Sequence, residues 1–199
     1  MNENLIQKFG FCEMYEWATD YNQKLGLFVT FDENSTDKIS PYGENPGAEI
    51  IGVSSINGVI ESNNPSFWPN SYLCNEYGDL YLQKERLSVG QKVYDQVLEF
   101  NYIQTRPWEH YIPIANKALD PEKQYIPRTS RQEWVRVTLL GRAIVKDNGK
   151  CEPGKYCAPY SGKMKKDFGM AVPVEESTSS QKYYVLRRMS EHSIEILMK

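Results

Sequence analysis

Hydrophobic and polar residues alternate most regularly in the second half of the stretch Tyr125–Val145. One face carries Val135, Val137, Leu139, Gly141, Ala143 and Val145, and the other carries Trp134, Arg136, Thr138, Leu140, Arg142 and Ile144. A period of two with many β-branched residues predicts a β-strand with one buried face. The segment spans about eleven residues, whereas a usual strand has ~5–6, so we expect a bend or bulge near Gly141. The sequence Asp147-Asn148-Gly149 should end it in a tight turn.

Shorter segments elsewhere have the same extended character. They are Lys8–Trp17, Leu25–Phe31, Glu49–Ile56, Met170–Val174, Lys182–Arg188 and Ser193–Met198. The pair Asn57-Gly58 is a strong hairpin signal, with a return strand starting at Val59-Ile60. The last two segments predict a closing hairpin around Met189–His192. Many short strands at close spacing predict an all-β fold, a mostly antiparallel sheet or barrel-like single domain with long irregular loops.

The length of 199 residues is typical of one domain or of one domain with a large insertion. We therefore expect residues 1–199 to form a single β-rich domain. Two polar parts of the chain are predicted to lack strands. Asp32–Lys38 is expected to be a turn, and Ile103–Asp120, with its two prolines, is expected to be an irregular excursion.

Composition excludes several classes of function. The formal net charge is −3, which argues against a nucleic-acid-binding protein that relies on a basic surface. No segment approaches the ~18 apolar residues of a membrane-spanning helix, and no apolar leader opens the chain, so no membrane partner is expected. The chain contains neither GxGxxG nor a Walker A motif. We therefore expect no nucleotide cofactor.

The cysteines and histidines do not predict a metal site. The cysteines are Cys12, Cys74, Cys151 and Cys157, and the histidines are His110 and His192. No CxxC pair is present, and the spacing is too wide for a structural zinc ligand set. Cys151 and Cys157 could meet across a loop, but a reducing cell favours free thiols.

Candidate catalytic residues lie in the stretch Lys8–Trp17. Glu13 and Glu16 are three residues apart and are flanked by aromatic side chains. Burial beside aromatic rings raises the pKa of a carboxyl group, which would make an acid–base pair possible. The alternative is that both are surface glutamates bridged to lysines, and the spacing alone does not decide between the two.

Four stretches together resemble a known family. They are Glu13–Trp17 (EMYEW), Gly26–Asp32 with Ile50–Ser55 (GLFVTFD and IIGVSS), Tyr125–Cys157 (containing YIPRTSRQEWVRVTLLG and DNGKCEPGKYC), and Tyr183–Leu197. Their order and spacing resemble the C-terminal intramolecular-chaperone and autoproteolytic cleavage domain of phage tail-spike and pre-neck-appendage proteins. The part least similar to the family is Pro69–Glu122, and we expect residues 69–122 to be an insertion or a variable loop region.

The resemblance implies a role in building a virus particle. In the family, the domain lies at the end of a trimeric fibre, helps it to trimerise and then cuts itself off upstream of the acidic motif. Cleavage there is attributed to paired carboxylates that activate water and protonate the leaving amide. Glu13 and Glu16 match the family's glutamates. The implied partners are two further copies of the chain, as a homotrimer, or other virion proteins, and the implied locations are the virion and, during assembly, the host cytoplasm.

The chain departs from the family pattern at one carboxylate. The family motif usually has an aspartate three residues before its first glutamate, and this position is Gly10. Asp20 or Asp32 would have to replace it in space. Because only twelve residues precede Glu13, we expect an excised domain or a free-standing relative that has kept the fold and lost the cut.

Three hypotheses about function follow. The first is a structural or assembly module of a virus particle without cleavage. The second is an active self-cleaving peptidase of the glutamic type. The third is a cellular carbohydrate-binding or enzyme-accessory β domain with Trp68 and Trp108 as a stacking platform. A trimer interface would be expected to collect Phe67, Trp68 and the terminal hairpin.

Overall fold

The computed structural model describes residues 10–18, 25–45, 47–56, 58, 60–95, 100–103, 105–120, 123–177 and 179–199. The strands in this part are β1 (Phe11–Trp17), β2 (Phe28–Asp32), β3 (Ser35–Pro41), β4 (Gly52–Ser55), β5 (Ile60–Ser62), β6 (Leu82–Leu87), β7 (Lys92–Asp95), β8 (Phe100–Ile103), β9 (Trp108–Pro113), β10 (Trp134–Lys146), β11 (Tyr156–Tyr160), β12 (Met170–Pro173), β13 (Tyr183–Ser190) and β14 (Ser193–Met198). Short 3₁₀ turns lie at Arg128–Ser130, Lys165–Asp167 and Val174–Glu176. The described residues contain no α-helix, and the predicted all-β fold is confirmed.

Five strands close into a barrel in the order β10, β4, β2, β3, β1 and back to β10. The closing pair is antiparallel and joins Phe11–Glu16 of β1 to Leu140–Trp134 of β10. Strands β1 and β3 are parallel, and the remaining barrel pairs are antiparallel. Closure pairs the barrel strands on both sides, and β1 pairs in addition with β5 at Phe11–Glu13, next to its pairing with β3 at Glu16 and Trp17.

Strand β10 also belongs to a second sheet. Its 13 residues exceed a usual strand, and its second half, Gly141–Lys146, pairs with β14. This sheet continues in the order β14, β13, β11, β12. The change of partner falls at Gly141, which has a φ of +101°. The predicted bend near Gly141 is therefore confirmed, as is the closing hairpin formed by β13 and β14.

The predicted faces of β10 agree with the burial pattern, with one exception. Alternate residues from Val135 to Val145 are buried or half-buried. Thr138, predicted to be on the solvent side, is only 1% exposed. Its hydroxyl bonds to Ser55 Oγ at 3.0 Å and lies 3.3 Å from Cys12 Sγ. A side chain at Gly58 would overlap that sulfur, so Gly58 itself lies directly over Cys12 on the outer side of the barrel.

Two apolar clusters stabilise the barrel and the second sheet. The barrel interior holds Trp17, Leu27, Val29, Ile39, Val135 and Val137. The second cluster, between the barrel wall and the second sheet, includes Phe28, Tyr42, Val53, Val145, Cys157, Tyr183, Ile194 and Ile196. Phe28 stacks on Tyr183 with 4.8 Å between ring centroids. The residues of β2 alternate between the two clusters, because successive side chains of a strand point to opposite faces.

The predicted hairpin at Asn57-Gly58 is wrong. Asn57 and Val59 lie outside the described residues, but β5 does not return along β4; it pairs in parallel with Phe11–Glu13 of β1. Both edges of β4 are already occupied, by β2 and by β10. The position of β5 is therefore determined by barrel closure and not by the local turn signal. Barrel closure depends on pairing between residues far apart in sequence.

Two other predictions require correction. Strand β3 begins at Ser35, inside the segment predicted to be a turn, because its polar residues pair with β2 at the barrel surface. Strand β9 lies inside the predicted irregular excursion and pairs with β6. In β11, Tyr156 is exposed and Cys157 is buried, since adjacent residues of a strand face opposite sides.

The chain divides into two compact units, Met1–Asn64 with Pro127–Lys199, and Pro65–Ile126. The second unit contains two separate two-stranded ribbons, β6 with β9 and β7 with β8. Trp68 in this unit donates Nε1–H to the carbonyl oxygen of Lys123 at 3.1 Å and packs edge-on against Tyr125. Among the described residues, none forms a helix long and apolar enough to cross a membrane.

Candidate functional site

Strand β1 places Glu13 and Glu16 on opposite faces. In the antiparallel pair with β10, Glu13 is aligned with Val137 and Glu16 with Trp134. Val137 belongs to the barrel interior. Side chains alternate along a strand, so two residues separated by an odd number of positions point to opposite sides. Glu13 therefore faces the interior side of the barrel wall and Glu16 faces the outer side.

Glu13 is held by Tyr15, its neighbour on the same face. The Tyr15 hydroxyl donates to Glu13 Oε2 at 2.8 Å. The ring of Tyr15 packs edge-on against Phe31, with 5.8 Å between centroids. Burial, and then the hydrogen bond to the Glu13 carboxylate, raise the pKa of Tyr15 well above its ordinary value. Tyr15 was not among the predicted site residues, although two residues separated by two positions on a predicted strand are expected to lie on the same face.

Glu16 forms an ion pair with a lysine on the neighbouring strand. Lys38 Nζ lies 2.8 Å from Glu16 Oε1, and both side chains are partly exposed. The hydrogen bond to Glu16 raises the pKa of Lys38. The two strands are parallel here and Glu16 is aligned with Lys38, so the fold itself brings these two side chains together. For Glu16, this ion pair agrees with the alternative interpretation of the sequence, a surface glutamate bridged to a lysine.

The third expected carboxylate position is occupied by a glycine whose backbone leaves no room for a side chain. Gly10 has a φ of +68°. A Cβ atom at this position would overlap the carbonyl oxygen of Leu140. Of the two suggested substitutes, Asp20 lies outside the described residues. Asp32 accepts a hydrogen bond from the backbone N–H of Asn34 at 2.9 Å and so stabilises its own turn.

A further acid, Glu61, lies next to β1 and was not among the predicted site residues. Glu61 of β5 is aligned with Cys12. Its carboxylate contacts the guanidinium of Arg136 and accepts a hydrogen bond from Asn64 Nδ2 at 2.8 Å. No motif marks Glu61, because its position depends on the parallel pairing of β5 with β1.

The start of the segment RTSRQEW, residues 128–134, also contributes to this outer surface. Arg128 is 9% exposed, donates to Asn63, and lies over the Trp134 ring at 3.8 Å from its centroid. Asn63, which has a φ of +55°, donates Nδ2–H to the carbonyl oxygen of Met14 at 2.6 Å. These contacts join the end of β5 to β1 and to the start of β10. We assign them a structural role, since Nη1 of Arg128 and Nδ2 of Asn63 both donate to the protein's own backbone.

Two cavities lie near the second sheet. The larger has a volume of about 730 Å³ and the smaller about 210 Å³. Neither is lined by Glu13 or Glu16. Within the described ranges, no group of three histidine, cysteine, aspartate or glutamate residues is arranged to hold a metal ion.

Two solved structures share this fold. The pre-mature bacteriophage phi29 gene product 12 matches with a TM-score of 0.67 at 22% identity, over 97% of this chain and 22% of that one. The C-terminal fragment of the same gene product matches with a TM-score of 0.61 at 23% identity, over 95% of this chain and 99% of the fragment. The closed barrel sharing a long strand with a second sheet therefore places the chain in the all-β class that this fragment represents.

The chain belongs to the Peptidase_G2 family, the IMC autoproteolytic cleavage domain, whose family model matches residues 5–187. The resemblance inferred from the sequence is thereby confirmed. Similar proteins include the preneck appendage protein of Bacillus phage PZA, 29% identical over 146 residues, and the pre-neck appendage protein of Bacillus phage B103, 25% identical over 174 residues. These alignments cover 73% and 86% of the chain but only 14% and 18% of the relatives.

Stability is expected to fall at high pH because of two partly buried tyrosines. Burial, with the nearby charges of Cys157 and Glu49, raises the pKa of Tyr183 to about 12, and the pKa of Tyr15 is also raised. In the unfolded chain both phenols ionise near pH ~10. Their contribution to stability is therefore complete below pH ~10 and is lost as the pH rises toward the folded-state pKa.

Urea unfolding at a series of pH values tests this expectation. The free energy of unfolding should decline above pH ~10, and Tyr183→Phe should make the decline shallower. Tyr156→Phe, at an exposed position of the same sheet, is the control and should leave the slope unchanged. If stability declines with the same slope in the wild type and in Tyr183→Phe, ionisation of Tyr183 is not a cause of the decline.

Proposed function

We propose that this chain is an assembly module of a virus particle that keeps the fold of the intramolecular-chaperone domain and has lost the cut. The observation that carries the proposal is the backbone at Gly10. The family's usual aspartate is absent there, and the left-handed conformation leaves no space for its side chain. A catalytic set that needs this carboxylate would be incomplete.

The positions of the two glutamates support the same proposal. General acid–base catalysis needs both groups within hydrogen-bond reach of one substrate. Glu13 and Glu16 face opposite sides of β1, and each is engaged by a partner of its own, Tyr15 or Lys38. As candidate catalytic residues they remain a prediction, which the second hypothesis below uses.

The proposed location is the virion, with host cytoplasm as the site of assembly. This rests on the names of the relatives, which are phage appendage proteins. The proposed partners are two further copies of the chain, as a homotrimer, or other virion proteins. Phe67 is half exposed and is available for such an interface. We also propose that residues 69–122 are an insertion, since both apolar clusters draw their residues from outside this range.

A second candidate function is active self-cleavage. The family description includes autoproteolytic cleavage. The matching structures are of a pre-mature gene product and of a C-terminal fragment, and the chain covers 99% of the fragment. In this hypothesis Glu13 is the residue with the best-defined environment, because it lies on the barrel-interior face beside Tyr15.

Mass spectrometry of the complete gene product separates the two functions. We expect the denatured protein to have the mass of the full translation product, and the native protein to have three times that mass. If the denatured protein instead shows two fragments with a break ahead of β1, and Glu13→Gln prevents the break, the second function is correct. Glu33→Gln, at an exposed turn, is the matched control for the loss of one charge.

A further inference from the structure

The unit Pro65–Ile126 has almost no hydrophobic core of its own. Among its residues whose side chains the structure describes, Leu87 is the one buried hydrophobic residue. Five aromatic residues are instead 50–83% exposed, namely Phe67, Tyr77, Tyr81, Trp108 and Tyr111. At ~200 Å² for each aromatic side chain, these five leave about 600 Å² in contact with water. A two-stranded ribbon without a covering layer is only marginally stable in water, so this unit needs a partner that covers it.

The ribbon formed by β6 and β9 exposes apolar side chains on both of its faces. One face, which we call the ribbon face, consists of three aligned pairs: Leu82 with Pro113, Lys84 with Tyr111, and Arg86 with Glu109. Aligned residues, and residues two apart on a strand, point to the same side. On the ribbon face Leu82 is 53% and Tyr111 is 67% exposed. On the opposite face Trp108, which is aligned with Leu87, is 53% exposed.

The charges on the two faces of the ribbon are complementary. The ribbon face carries two cations, Lys84 and Arg86, against one carboxylate, Glu109, and Lys84 Nζ lies 2.6 Å from Glu109 Oε2. The opposite face carries one carboxylate, Glu85, which lies 3.1 Å from His110 Nε2. With histidine neutral, one face is therefore net positive and the other net negative. A second ribbon can pack on the first without bringing like charges together.

We propose that the ribbon of β6 and β9 is the surface on which copies of this chain associate, with the ribbon face of one copy packed on the opposite face of the ribbon of the next. The inference rests on the proposed function, because it names the contact within the proposed homotrimer. A cyclic trimer needs two different, complementary surfaces on each subunit, and the two faces of the ribbon supply them.

The area and the dependence of the unit on its partner both favour a second copy as the occupant. A standard interface buries about 800 Å² on each partner, and the exposed aromatic side chains of this unit supply most of that area. A unit with so few buried side chains needs its partner whenever the chain is folded. A second copy is the partner that is present at a matching concentration wherever the chain is made.

Substitutions on the ribbon face of the full chain test the contact. Leu82→Glu with Tyr111→Glu removes two apolar side chains and places carboxylates against the acidic face of the neighbouring copy, so self-association should weaken by about a hundredfold or more. Leu140→Glu with Tyr156→Glu is the matched control, because these two residues are similarly exposed but lie in β10 and β11. The control should associate as the wild type does. Sedimentation equilibrium over a range of concentrations measures the association constants.

Hydrogen exchange of the wild-type chain gives a second measurement that needs no substitution. Backbone amides of β6 and β9 should become protected as the protein concentration rises, with the same midpoint as self-association, because the ribbon is covered only in the assembled state. Amides of β10 and β14, which are paired on both sides, should be protected at every concentration. The same amides report whether each substituted chain is folded.

The inference is overturned if the variant with both ribbon-face substitutions associates as the wild type does, or if the control variant dissociates in its place. It is also overturned if exchange in β6 and β9 does not depend on concentration. A wild-type chain that is monomeric at every concentration would contradict the proposed homotrimer together with this inference. A trimer that survives substitution of the ribbon face would contradict this inference alone and leave the assembly function standing.

Discussion

Arg188→Met is expected to lower the free energy of unfolding by about 3–5 kcal/mol, because it leaves a buried charge without its partner. The carboxylate of Asp147 is 0% exposed, and both of its oxygens accept hydrogen bonds from Arg188, at 3.1 and 2.9 Å. The same guanidinium donates to the carbonyl oxygens of Cys151, Ser190 and Glu191. Arg188 thus joins the turn after β10 to the closing hairpin.

Substitutions of Asp147 and of Arg188 should not lower the free energy of unfolding by the same amount. Asp147→Asn should cost less than Arg188→Met, because the Arg188 side chain is 30% exposed and its charge can be hydrated when the carboxylate is gone. The double variant should recover part of the loss, since no unpaired buried charge remains. Recovery should stay incomplete, because three carbonyl oxygens still lose their donor.

Urea unfolding followed by tryptophan fluorescence measures these changes. Lys155→Met is the control, since its ion pair with Glu152 is mostly exposed, and it should leave the midpoint unchanged. Equal midpoints for Arg188→Met and wild type would show that the buried pair contributes nothing to stability.

Gly10→Asp, the change that would restore the family's carboxylate, is expected to destabilise the protein by about 3–5 kcal/mol. Aspartate tolerates the left-handed region better than most residues. The larger part of the cost therefore comes from overlap with the carbonyl oxygen of Leu140. This oxygen belongs to a barrel strand and cannot shift without disturbing the pair of β1 with β10.

Gly47→Asp provides the matched control. Gly47 has a φ of +108°, and a Cβ there would meet nothing within 4 Å. It should cost only the backbone strain, ~1–2 kcal/mol. If both variants lose the same amount in urea unfolding, steric overlap at Gly10 is not the cause. A Gly10→Asp protein that does not cut itself is informative about cleavage only when its folding has been measured.

Local pattern predicted the elements that depend on nearby residues. The alternation along β10, the bend at Gly141 and the closing hairpin of β13 and β14 follow from the identities of adjacent residues, and all three are observed. The strand prediction also implied that Glu13 and Glu16 lie on opposite faces, because residues separated by an odd number of positions on a strand point to opposite sides. This placement on opposite faces was not predicted, because the two glutamates were considered as a motif and not as positions on a strand.

Pairing over long distances in sequence could not be predicted in this way. The parallel partners of β1 come from β3 and β5, and its antiparallel partner lies more than a hundred residues later. No local signal encodes these choices, and barrel closure overrides the turn signal at Asn57-Gly58. The environments of Glu61 and Gly10 depend on the same barrel closure. The sequence therefore predicted where the candidate site lies along the chain, but it did not predict which side chains contact one another there.

The order of residues along one edge of β10 has a topological consequence. Met198 is aligned with Gly141 and Phe11 with Leu140, and both strands run antiparallel to β10. The first and the last strand described here thus follow one another head to tail along β10, although they are far apart in sequence. A circular permutant of residues 1–199 that links β14 to β1 and opens the loop after Tyr160 should form the same barrel.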